Sequence, residues 1–423
     1  MAMARLRSPL NRGLRALTAA VSLAILGCQS ERGGRTSIDQ SGGEAPARRL
    51  QVSETPIFAV TGGALPSGDS LPFFRILHGA FVDDLIVIAL GGGENRLVFL
   101  DRSGEVVHVH GRAGAGPGEF RQITGLHSTE GGAAVLDRMN ARATRVNARA
   151  EGVEYALPPA VREHRSVGVF TDGTLVTTHG PGLVTDSDAA QLERLGLLPG
   201  EGRPRPYAFW SPDGALVGVI SGAPEPPRSS YRLEFELNGG EVTSSFSPLP
   251  GCLSRPLEAV VGDVLLVVDD RSGSVHSIDR VGHATELVTT LHRATATEAG
   301  VRDVEGWIER TSRDFAGRGA RGPTEASIRA VRARAGRPGD ALGPAWSRII
   351  PDDGGDGMWL ERARCYSAES MTTWDVHSNQ GDLIGMVELP ATFRVLGVKQ
   401  DLVLGVRTDV LGIEVVQLLR VER

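Results

Sequence analysis

The feature that most constrains this chain is a recurring turn between short apolar runs. Leu97-Val98-Phe99-Leu100 leads into Asp101-Arg102-Ser103-Gly104, and Glu105-Val106-Val107-His108-Val109 follows. The arrangement returns at Val275-His276-Ser277-Ile278 with Asp279-Arg280-Val281-Gly282, and at Thr373-Trp374-Asp375-Val376 with Gly381. Looser copies turn at Asn147 to Gly152 and at Ser211-Pro212-Asp213-Gly214. Asp and Asn bond their own backbone in a turn, and Gly takes positive φ at no steric cost. The runs between turns are too short for helices and suit strands joined in hairpins. A composition with Gly 54 and Pro 24 fits many tight turns.

Five four-stranded units can be placed, at about 72–110, 121–157, 165–221, 255–292 and 346–390. A half-unit follows: Phe393 to Val398, Leu402 to Val406 and Ile413 to Leu419 supply three strands and no fourth. The run Pro56 to Val60 has no unit of its own. Pairing it with the last three strands would close a ring and cap two raw edges. Radial repetition of four-stranded sheets is the propeller answer to the edge problem. The expected fold is therefore all-β: a six-bladed β-propeller over 51–423, closed by N- and C-terminal strands. A β-sandwich and an open solenoid are the competing arrangements.

Gly111-Arg112-Ala113-Gly114-Ala115-Gly116-Pro117-Gly118-Glu119-Phe120, followed by Val135 to Arg142 with Asp137 and Asn140, resembles the NHL-type repeat. It looks especially like bacterial six-bladed propeller lipoproteins. Asp409-Val410-Leu411-Gly412-Ile413-Glu414 and the Trp374-Asp375-Val376 unit look like the same family. The glycine-rich segment lacks the Gly-Lys-Ser/Thr ending of a phosphate loop, and no helical pattern follows it. In the repeat reading Gly111, Arg112, Gly116, Pro117 and Gly118 carry the chain between blades. Glu119 makes a local bond and Phe120 enters the core.

Residues 298–335 break the β pattern, within an insertion running to 345. Thr297 could cap a helix carrying Val301, Val304, Ile308 and Phe315, and Thr324 a second with Ile328 and Val331. Gly317 to Pro323 reads as the turn between them, with Arg329, Arg332 and Arg334 on the polar side. The pair reads either as a solvated hairpin packed on a blade edge or as a lid. Arg232 to Leu237 and Val242 to Phe246 suit an extra β-hairpin, and 180–204 reads as a polar insertion in the third unit.

The first 28 residues read as an export signal. Arg5, Arg7, Arg12 and Arg15 precede the uncharged run Ala16 to Gly27, which falls short of the ~20 residues that span a bilayer. Ile25-Leu26-Gly27-Cys28 resembles the bacterial lipobox, which implies lipidation of Cys28. With Gln29 next, the resemblance implies outer-membrane sorting in a cell with two membranes. Residues 29–50 have almost no large apolar side chain and read as a flexible tether.

Catalytic signatures are sparse. No Gly-x-Ser-x-Gly and no His-Glu-x-x-His occurs. His108 and His110 share a strand face but lack nearby partners for a metal. Asp83-Asp84, Asp269-Asp270 and Asp352-Asp353 fall at turns, where acids are usually solvated. Cys252 and Cys365 remain once Cys28 carries lipid, and either a bridge or two thiols fits an exported chain. A net charge of −6 argues against nucleic acid. The expectation is a membrane-tethered propeller that binds a peptide, glycan or envelope protein, with no cofactor, metal or catalytic residue. The alternative is an envelope hydrolase or lyase of NHL or lactonase type with a metal in the channel.

Overall fold

The computed structural model describes residues 48–422, apart from 66, 159–161, 163, 180–205, 221–229, 238–241, 249–256, 269–273, 289–293, 296–297, 318–319, 337–340, 343–345, 355–356 and 364–369. Cys28, Cys252, Cys365, Thr297, Asp269, Asp270 and the polar insertion at 180–204 lie outside the described residues, as does the Arg334 side chain.

Among the described residues, four antiparallel four-stranded sheets and one nine-stranded sheet make the ring; the nine-stranded sheet holds two further groups of four strands, blades 5 and 6, joined by the strand Arg49–Val52. Blade 1 is Ile76–Val82, Leu85–Leu90, Arg96–Leu100 and Val106–His110, and blade 2 is Ile123–Thr129, Gly132–Asp137, Arg142–Asn147 and Gly152–Ala156. Blade 3 is His164–Val169, Leu175–His179, Tyr207–Trp210 and Leu216–Ile220, and blade 4 is Glu258–Val261, Val264–Val268, Val275–Ile278 and Ala284–Val288. Blade 5 is Trp346–Pro351, Gly357–Arg362, Met371–Ser378 and Leu383–Pro390. Blade 6 takes Phe393–Lys399, Leu402–Thr408 and Glu414–Glu422 from the end of the chain and Phe58–Val60 from its start. Phe58 opposes Leu418 and Val60 opposes Val416, which is the expected closure.

The first strands of these four-stranded groups touch in cyclic order, the last returning to the first. Six separate apolar clusters fill the six spaces between neighbouring blades. Strand Leu85–Leu90 shows why such strands read as nearly continuous apolar runs. Ile86, Ile88 and Leu90 pack toward blade 6 while Val87 and Ala89 pack toward blade 2. Burying one such side chain contributes roughly 1.5–3 kcal/mol. The described residues form a β-propeller.

The repeated turn has one mechanism. Asp101 Oδ1 accepts the amides of Ser103 and Glu105, and Gly104 takes φ +87°. Asp279 does the same for Val281 and His283 with Gly282 at +95°, and Asp409 for Leu411 and Ile413 with Gly412 at +81°. Asn147 serves Arg149 and Glu151, with Ala150 at +61° in the glycine position.

Two elements differ from expectation. Residues 49 and 50, counted with the tether, belong to the strand Arg49–Val52, which pairs with Met386 and Val387 of blade 5 and with Val421 and Glu422 of blade 6. Leu50, buried in the cluster between those blades, supplies the apolar anchor that composition averaged away. Within the insertion, helices α1 (Glu298–Ala316) and α2 (Glu325–Ala335) form as expected, but the segment between them is not only a turn. Ala320–Pro323 pairs with the extra hairpin Ser230–Leu237 and Val242–Pro248, which offers it an open edge. Val304, Ile308 and Val331 pack with Phe235 and Leu233 onto the cluster between blades 4 and 5, and Phe315 stacks on Phe235 at 4.1 Å. Thr324 caps α2 by accepting the Ser327 amide, and Arg332 pairs with Glu305 of α1.

Candidate functional site

Among the described elements the first strand of each blade has only the second as a strand partner, apart from one isolated bridge between Val398 of blade 6 and Asp352. Its other edge faces the centre of the ring. Five of these six strands carry a register shift near their start: at Ile76/His78, Ile123/Gly125, Ser166/Gly168, Trp346/Arg348 and Val395/Gly397. A bulge lets a strand re-aim a side chain, and here the repeated bulges turn His78, Thr124, Ser166 and Arg348 toward one central channel. The channel holds about 310 Å³ and is lined by all six first strands.

The two ends of the ring differ in kind. The blade-to-blade connections and the loops between second and third strands lie at one end, here the connection face. That face carries the α1–α2 insertion, the extra hairpin and the glycine-rich segment. The hairpins joining first to second and third to fourth strands lie at the other end, the hairpin face, and are short.

Near the connection face, Arg165 of blade 3 pairs with Glu258 of blade 4, whose other oxygen accepts the Tyr207 hydroxyl at 2.8 Å. Arg348 donates to Val395 O at 2.5 Å, and Arg394 donates to Ile76 O and Leu77 O and pairs with Glu414. These arginines brace neighbouring blades.

At the hairpin face, Asp353 bridges four blades. Its amide donates to Val398 O of blade 6 at 2.8 Å. Its Oδ2 accepts the Ser128 hydroxyl of blade 2 at 2.6 Å and the Phe81 amide of blade 1 at 3.5 Å. Burial pushes its carboxyl up to about 6 against the Ser128 bond, which pulls the other way. The acid pair was expected at a solvated turn. Asp352 does serve the turn, accepting the amides of Gly354 and Gln400, but Asp353 turns inward.

Three atoms of lining residues from blades 2 and 3 are closed off from solvent without a hydrogen-bond partner: His127 Nε2, Ser166 Oγ and Arg165 Nε. Burial pushes the His127 imidazole down to about 4, so the ring is neutral at ordinary pH. Gly125 makes the arrangement fit. A Cβ there would fall 1.6 Å from Ser166 Oγ and 2.9 Å from His127 Nε2.

The residues singled out in the glycine-rich segment sit away from this channel. Glu119 accepts the Gly116 amide and an Arg112 bond, both at 2.8 Å, and its carboxyl is held down by them. Asp137 is fully buried and accepts the amides of Arg121 and Gln122 and the Asn140 side chain. Phe120 is buried in the cluster between blades 1 and 2, and Gly111, with φ +84°, lies against its ring. Gly118 donates to Glu154, and Pro117 lies between the two bonded glycines. His110 contacts Ala150 O, and His108 packs its edge on Phe99. Among the described residues, no group of three or more His, Cys, Asp or Glu is placed to hold a metal ion. The channel residues left no sequence signal of their own: Arg165 and Glu258 stand in different blades, and only the ring brings them together.

No protein-family model matches the chain, and no curated protein matches it. Among solved structures it is similar to an exported protein of Bacteroides fragilis at 9% identity, over 89% of this chain and 99% of that one, with a TM-score of 0.46. A DUF4221 family member from Bacteroides vulgatus matches at 10% identity over 90% and 98%, TM-score 0.40. Virginiamycin B lyase from Staphylococcus aureus matches at 11% identity over 82% and 97%, TM-score 0.35. All three scores lie below 0.5, and the fold rests on the strand pairing and the closed ring themselves.

Proposed function

We propose that this chain is a lipid-anchored binding propeller of the bacterial cell envelope, holding its ligand at the connection face over the mouth of the channel. The observation that carries this reading is the inequality of the two ends. Every large elaboration borders one mouth, while short hairpins and the Asp353 bridge occupy the other. A rigid ring with variable additions around one opening is a common way to present a binding surface. The hairpin Asp409 to Ile413 adds apolar surface there, with Val410 101% and Leu411 81% exposed.

Two experiments test the reading. Cys28→Ala should move the chain from the membrane fraction to the soluble fraction; retention in the membrane contradicts the anchor. A photo-crosslinking residue at Leu411 or Arg329, on the connection face, should capture a partner in intact cells, whereas one at Arg102 on the hairpin face should not. Equal capture from both faces, or none from either, overturns the binding assignment.

A further inference from the structure

We propose that the hairpin tip of blade 6, formed by Val410, Leu411 and Ile413 with Phe74 beside it, is a lipid contact that dips into the surface of an anionic bilayer. The inference deepens the reading of the connection face above and rests on it for that face being a contact surface.

The tip uses the repeated turn with different letters. The turn's geometry asks for a side-chain acceptor at the first position and positive φ at the fourth. Asp409 and Gly412 meet both demands, as Asp101 and Gly104 do in blade 1. The remaining positions are free. In the turns opened by Asp101, Asn147, Asp279 and Ser378 they bring Arg102 and Glu105, Arg149 and Glu151, Arg280 and His283, and Gln380 and Asp382. In the turn of blade 6 they are Val410, Leu411 and Ile413, with no polar side chain among them.

Folding does not account for that choice. Val410 and Leu411 are almost wholly exposed, Ile413 is 47% exposed, and a Cβ on Gly412 would meet nothing within 4 Å. Phe74, 61% exposed, stands beside the tip, because the Ile76 amide two residues on donates to Glu414 at 2.9 Å. Apolar residues exposed singly are ordinary; four gathered at one corner mark a contact surface.

Charge and shape select the occupant. Arg75 and Arg407 are exposed and make no ion pair among the described residues. The two acids at the tip are engaged: Asp409 holds the amides of Leu411 and Ile413, and Glu414 bonds the Ile76 amide and pairs with Arg394. An apolar tip between free arginines matches a bilayer surface. The apolar side chains enter the boundary of headgroups and acyl chains, and the guanidinium groups stay with the phosphates. A specific protein interface takes about 800 Å² from each partner, more than four side chains on a convex tip present. A bilayer closes around a small tip and sets no such minimum.

The test uses the full-length chain, purified from cell envelopes and mixed with vesicles of phosphatidylethanolamine and phosphatidylglycerol or of phosphatidylcholine alone. A diazirine residue is placed at Leu411, or on the hairpin face at Arg102 or at Val281, itself an exposed apolar turn residue. After irradiation, mass spectrometry should find acyl-chain adducts at 411 at least tenfold above those at 102 and 281, with more on the phosphatidylglycerol vesicles. With the probe moved to Ile413, Val410→Ser together with Leu411→Ser should cut the yield at least tenfold. Arg75→Gln together with Arg407→Gln should remove the preference for phosphatidylglycerol, and both pairs should leave the melting temperature unchanged. Equal yields from the two faces, no lipid adduct at 411, a yield at 413 that survives the two serines, or equal yields on the two kinds of vesicle overturns the inference. Protein adducts at 411 in intact cells without lipid adducts overturn the lipid assignment alone. Absence of any adduct at both 411 and 329 overturns the binding reading as well.

Discussion

Single side chains do the long-range work in this ring, and two of them make sharp predictions. Asp353 has its carboxyl raised from 3.8 to about 6 by burial. The sign follows from linkage: a folded-state value above the unfolded one favours the protonated form in the fold. Its contribution is complete below about pH 4 and is lost as pH rises through 6. Ionisation at neutral pH thus costs on the order of 1–2 kcal/mol, after allowance for water that reaches the channel. Asp353→Asn keeps an oxygen for Ser128 and Phe81 and removes the titration. Thermal unfolding followed from pH 4 to 8 should lose part of its slope, with the variant more stable at pH 8; superimposable profiles would contradict this.

The second is Glu258, almost fully buried against Arg165. Glu258→Gln can still accept from Tyr207 but leaves a guanidinium without its counter-charge, and should cost about 3 kcal/mol by denaturant titration. Arg165→Met together with Glu258→Gln should recover most of that loss. If the two changes simply add, the pair is not coupled as described.

Individual elements are governed by the repeated turn, which makes their responses comparable. At Gly412, with φ +81°, a Cβ meets nothing within 4 Å, so Gly412→Ala should cost only the backbone penalty of about 1–2 kcal/mol. At Gly381, with φ +92°, the same atom would fall 2.1 Å from Leu287 O of the neighbouring blade. Gly381→Ala should therefore cost clearly more, and equal shifts in melting temperature would refute the shared-turn description. This turn is also the part of the fold most legible in the sequence. Asp101, Asp279 and Asp409 bond amides two and four residues on, so the whole device fits in a few consecutive letters. Strand alternation was legible for the same local reason. The strand Ala320–Pro323 was not, because only the distant hairpin at Ser230–Leu237 gives it an edge to join.

The whole molecule depends on closure, and there the sequence was informative in outline only. Three strands without a fourth at one end, and a stray strand at the other, pointed to the pairing of Phe58–Val60 with Glu414–Glu422. The channel was invisible by contrast. Its lining comes from residues whose neighbours lie in other blades, at bulges that leave no periodic mark. Asp353 read as a solvated turn acid because its partners, Phe81 and Ser128, are more than 200 residues away. Composition likewise placed Arg49 and Leu50 in the tether, although one buried leucine suffices to start a strand against two blades.

Closure is tested most directly by hydrogen exchange on the full chain and on a chain lacking residues 49–60. With the ring fastened as described, the amides of 416–422 are protected in the full chain. Their exchange should rise by orders of magnitude in the truncated one, together with that of the blade 1 strand Ile76–Val82. Unchanged protection of both segments after the truncation would mean that the two ends do not hold the propeller shut.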